Sequence, residues 1–124
     1  MARVRCDEAA RALAQESVAL VNAMLDGMAV DLMTACLARL NEAEEDEAEA
    51  AGALLQTFQN MGEIEPRTLD ALVAQPSLLK WLLRRLHPRE FKAFTPVKAA
   101  AAELLAILAQ VRHQNQSSPL LVRL

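Results

Sequence analysis

The chain has 124 residues, 53% of them hydrophobic but only 3% aromatic, with a formal charge of −3. That length suits one domain, and a core of Leu, Ala, Val and Met with scarce glycine and no β-branched runs favours an all-α fold over any sheet. Net negative charge and few aromatics argue against direct nucleic-acid binding, for want of a phosphate-neutralising surface and stacking platforms.

In chain order, Asp7 to Leu25 keeps Ala10, Leu13, Ala14, Val18, Val21 and Leu25 at helical spacing, and Asp26-Gly27 closes that helix. Ala29 to Leu40 follows, with Val30, Met33, Leu37 and Leu40 inward. An acidic connection, Asn41 to Asp46, leads into a third helix at about Glu47 to Met61, where the acids favour the N-terminal end of the macrodipole and Gly62 is the expected stop. Pro66 opens a short helix, Arg67 to Val73. Pro76 starts the next at a position where a missing N–H costs nothing, and His87-Pro88 ends it. Thr95 is the expected N-cap of a helix running from Pro96 to Val111, with Leu104, Leu105 and Leu108 as its apolar stripe. Arg112 to Ser118 reads as a polar stretch, and Pro119 to Leu124 as the first turn of a further helix.

Charge is unevenly spread. Residues 41–65 hold eight acids and no base, whereas nine bases follow from Arg67 onward. A solvated acidic segment beside a basic helix face (Lys80, Arg84, Arg85) accounts for this pattern. Met1 to Leu13 lacks an apolar leader core, and the longest apolar run is interrupted by Lys98 and Glu103, so neither secretion nor membrane spanning is expected. Cys6 and Cys36, without CxxC spacing, read as small buried hydrophobes of a reducing compartment. Trp81, among Leu78, Leu82 and Leu86, reads as packed core. His87 and His113 have no partners at ligand spacing, and no Ser/His/Asp set, Gly-rich phosphate loop or HExxH is present, so no enzyme, metal or cofactor is expected.

The two halves repeat. Ala23-Met24-Leu25 parallels Ala71-Leu72-Val73 at a displacement of 48, Leu37-Ala38-Arg39-Leu40 parallels Leu83-Arg84-Arg85-Leu86 at 46, and Gly52 to Phe58 parallels Ala102 to Leu108 at 50. A short helix, a helix and a longer helix at such a period signal an armadillo/HEAT-like α-solenoid segment. The chain is expected to form a single helical domain over 1–124, with units at 7–61 and 66–111 and the start of an incomplete one at 112–124. Its uncapped ends, the first helix and Pro119 to Leu124, predict self-association or marginal stability.

The blocks Ala23 to Gly27, Leu37 to Leu40, Phe58 to Met61, Leu78 to Leu86 and Glu103 to Leu108 resemble, in order and spacing, one stretch of the beta-catenin-like protein 1 family, armadillo-repeat proteins of the spliceosome. The resemblance covers about Asp7 to Gln110, and members of that family are several times longer. It implies a nuclear, non-enzymatic protein-interaction scaffold in mRNA splicing, associated with the Prp19 complex and binding basic localisation-signal-like peptides of splicing factors. In armadillo repeats the longest helix lines a groove where an asparagine bonds an extended peptide's backbone. Asn60 falls at that position in the first unit and Gln110 in the second. Gln56 and Ala106 stand where importin-type repeats carry an aromatic, and Glu63, Glu65 and Glu103 are the acids placed to meet cationic side chains. The expected groove therefore comprises Gln56, Asn60, Glu63, Glu103 and Gln110. A compact helical adaptor or oligomerising bundle remains the alternative: it would bury both long helices all round, whereas a groove leaves polar residues exposed along one side of each.

Overall fold

The computed structural model describes residues 2–87 and 96–116, with the side chains of residues 8–87 and 96–114. The described residues form six helices and no strand: α1 (Ala2–Asp26), α2 (Ala29–Arg39), α3 (Glu45–Ile64), α4 (Arg67–Val73), α5 (Pro76–Arg85) and α6 (Pro96–Gln116). Prolines set the borders in the middle of the chain. Pro66 caps α4 directly, Pro76 takes the first turn of α5, and Glu65 and Gln75 ahead of them are held extended, as the ring of a following proline requires. Thr95 and the segment Pro119 to Leu124 lie outside the described residues.

The helices stack in two layers. The end of α1 packs with α2 and α3 in the first, and α4, α5 and α6 pack together in the second; across the layers α3 lies on α6 and on α4, and α2 on α5. One contiguous core joins them, with Leu37, Leu55, Phe58, Leu72, Leu78, Leu82 and Leu104 withdrawn fully from solvent. Burying each such side chain stabilises the fold by roughly 1.5–3 kcal/mol, which no single helix gains alone. Polar ties cross the layers as well, among them Arg67 Nη2 to Asp26 Oδ1 at 3.1 Å, Gln75 Nε2 to Asp31 Oδ1, and Arg85 Nε to Glu42 Oε1.

Several expectations are corrected. Gly62 is not the end of α3, which runs on to Ile64. It is buried under α4 instead: a Cβ on Gly62 would sit 2.6 Å from Leu69 Cδ2, so glycine lets α4 approach. Beside it Thr68 Oγ1 donates to the Met61 carbonyl at 3.2 Å. At the first turn the left-handed residue is Met28 (φ 62°), and Gly27 keeps an ordinary φ. Helix α6 continues past Val111 to Gln116, because nothing in that polar stretch breaks a helix before Pro119. Ala10, Leu13 and Ala14 do not face a core: every side chain from Glu8 to Glu16 is exposed, and among the described side chains α1 packs from Ser17 onward, where Val21 is buried. Cys36 is a free, exposed thiol, since it lies on the side of α2 turned away from the second layer's core; the Cys6 side chain is outside the described residues.

Candidate peptide-binding surface

On α3, Gln56, Asn60 and Glu63 follow one another at i, i+4 and i+7 and are all exposed, opposite the buried Ala51, Leu55, Phe58 and Gly62. On α6, Glu103 and Gln110 are exposed opposite Val97, Ala101, Leu104 and Leu108. The two stripes share a register: Ala53 and Glu103, Gln56 and Ala106, Asn60 and Gln110, and Glu63 and His113 are each 50 residues apart, and all eight are exposed. Neither long helix is buried all round. Gln56 Nε2 donates to Asn60 Oδ1 at 3.1 Å, which leaves both N–H bonds of Asn60 Nδ2 free of Gln56. No aromatic side chain stands in either stripe. Glu65, placed beside these acids from the sequence, is half-buried where α3 turns into α4.

A different constellation, unread in the sequence, sits on the other side of α5. Trp81 is half-buried, and the Arg85 guanidinium lies over its ring, 3.9 Å from the centroid. The same guanidinium pairs with Glu42 in the connection between α2 and α3, with only 12% and 14% of the two side chains exposed. Lys80, Arg84 and the acids Glu44, Glu45, Asp46 and Glu49 are exposed, as a solvated face requires, but Arg85 and Glu42 meet as a shielded pair. The i, i+4 spacing of Trp81 and Arg85 was the visible half of that signal; the choice of Glu42 among eight acids was not visible. Asn41 shapes the connection, its Oδ1 accepting the Ala43 N–H at 3.1 Å.

None of the five expected groove residues lines either of two hollows found among the described residues. One of about 780 Å³ lies between the starts of α3 and α6, with Glu42, Glu45, Glu49, Gly52, Pro96 and Val97 around it. The other, about 300 Å³, is an apolar groove on the outer side of α5 and α6 formed mainly by Leu79, Leu83, Leu105 and Leu108. Among the described residues no three His, Cys, Asp or Glu side chains converge as a metal site, and no single helix is long and apolar enough to cross a membrane.

Helix layers stacked like on like, with an open outer side on the long helices, define an armadillo-like α-solenoid segment, a class built for holding other proteins. The family described as "Catenin-beta-like, Arm-motif containing nuclear" matches residues 6–122, and the chain belongs to that family. Over 97 residues it is 36% identical to the beta-catenin-like protein 1 of Rattus norvegicus and to that of Homo sapiens, and 35% identical to that of Mus musculus. Those matches cover 78% of this chain but 17% of each relative, so the chain spans about a sixth of their length. No solved structure matches.

Proposed function

We propose that this chain is a nuclear, non-enzymatic scaffold segment of the splicing machinery, associated with Prp19-complex splicing factors, that holds basic, extended peptide segments of localisation-signal type. The observation that carries the reading is the common register of exposed residues on α3 and α6. Amide groups at Asn60 and Gln110 recur at equivalent positions and can bond a peptide backbone, while Glu63 and Glu103 set carboxylates beside them for lysine or arginine side chains. Membership of a family described as nuclear supports the compartment; the splicing context is what the resemblance to the beta-catenin-like protein 1 family implies.

Exposed ion pairs of this kind contribute only about 0.2–1 kcal/mol each and fade with salt. With no aromatic to stack on the aliphatic stems of bound lysines, affinity rests on backbone bonds and charge, and is modest. The test is a fluorescence-anisotropy titration with a lysine-rich localisation peptide of the cell-division-cycle-5-like splicing factor, at low and physiological salt, beside Asn60→Ala and Gln110→Ala. Saturable binding that weakens with salt and with each substitution is expected. A chain that is helical by circular dichroism yet binds nothing, or binds equally after both substitutions, refutes the groove.

A further inference from the structure

We propose that copies of this chain stack head to tail, the outer face of α2 in one copy seated in the apolar groove of α5 and α6 in the next. The contact reproduces between copies the one that joins the two layers within the chain.

Within the chain α2 packs on α5, and the shared core contains Leu37 from α2 with Leu78 and Leu82 from α5, all fully buried. The displacement of 46 between these helices assigns each side chain a counterpart in the other layer. Leu78 and Leu82, fully buried in the core that joins the layers, correspond to Leu32 and Cys36. Both of these are on the outer face of the first layer; Cys36 is exposed and Leu32 is 64% exposed. Conversely Met33 and Leu37, which pack in that shared core, correspond to Leu79 and Leu83, and Leu55 corresponds by the displacement of 50 to Leu105. Leu79, Leu83 and Leu105 line the groove of about 300 Å³, with Leu83 57% exposed.

Each open face therefore repeats one half of an interface the chain already makes. Leu20 extends the match. It is 62% exposed, and its counterpart at a displacement of 48 is Thr68, which is fully buried against the end of α3. The two open faces differ, so the contact is heterologous: it leaves one free head and one free tail at every step and does not close as a symmetric dimer.

That asymmetry gives a decisive test. The mass of the full 124-residue chain, kept reduced because of Cys36, is followed by sedimentation velocity over a wide concentration range for the parent, Leu32→Asp and Leu83→Asp. Both leucines are more than half exposed, and circular dichroism checks that the variants fold. The parent is expected to grow beyond a dimer with concentration. Each variant alone loses a face and dissociates roughly thirtyfold or more readily. Mixed in equal amounts, the variants retain one good head and one good tail, and form a dimer that grows no further. A parent that stays monomeric, a parent that stops at a dimer, or a mixture that stays monomeric overturns the proposal. So does a monomer that Leu83→Asp destabilises, because the groove is then filled from within its own chain.

Discussion

Removing the charge of Glu42 tests what fastens the connection between α2 and α3 to the second layer. The Arg85–Glu42 pair is about seven-eighths shielded from solvent on both sides, so Glu42→Leu takes the carboxylate from a guanidinium that water barely reaches. Breaking a buried pair from one side costs about 3–5 kcal/mol; because a little solvent remains at both groups, a loss near the lower end, about 3 kcal/mol, is expected. Arg85→Met should cost as much or slightly more, since the stack on Trp81 goes too and such contacts contribute roughly 0.5–2 kcal/mol. Replacing both partners leaves no uncompensated charge, so the double variant should be more stable than the sum of the single losses implies, by about 2 kcal/mol. Urea unfolding followed by circular dichroism measures all four corners of the cycle at low and high salt, and the coupling should persist at high salt because a shielded pair is weakly screened. Single losses below about 1 kcal/mol that simply add would refute the argument and mark the pair as solvated.

The Arg67–Asp26 pair is the contrasting case, with 49% and 72% of the side chains exposed, so Arg67→Ala should lower stability by less than about 1 kcal/mol and by nothing measurable at high salt in the same unfolding assay. Met28 holds a left-handed backbone with its side chain mostly in solvent; Met28→Gly should raise stability by up to about 1 kcal/mol, and a lower melting temperature would show that the side chain matters there. Thr34 is buried, and its Oγ1 finds no hydrogen-bond partner among the described residues, so the isosteric Thr34→Val should stabilise by about 1 kcal/mol; a loss on thermal melting would reveal a bond the hydroxyl makes.

The sequence was most legible where backbone chemistry alone sets the structure. Arg67 to Val73 was bounded correctly because Pro66 and the Gln75-Pro76 pair constrain their own dihedrals and those of their neighbours, whatever surrounds them. It was least legible where a residue has two uses. Gly62 has the composition of a helix stop, but its lack of a side chain serves the approach of Leu69, and that requirement exists only once α4 has folded back. The positions of Gln56 and Asn60 on the open side of α3, where both are exposed together with Glu63, followed from the armadillo resemblance. The pairing of Arg85 with Glu42 did not, because a run of acids offers many partners and tertiary distance chooses among them.

Leu37 and Leu83 show where such reading reaches its limit. They head nearly the same local sequence, Leu-Ala-Arg-Leu and Leu-Arg-Arg-Leu, at corresponding places in their helices. Leu37 is fully buried and Leu83 is 57% exposed. Propensity, periodicity and neighbours along the chain are alike for the two, so none of them can account for the difference. The presence of a following layer does: α5 lies on α2, and among the described residues nothing lies on the far side of α5 at Leu83. Burial in a stacked fold is thus a property of the next layer and not of the residue. An apolar side chain that is open in one layer and closed in its counterpart marks the place where a further layer fits.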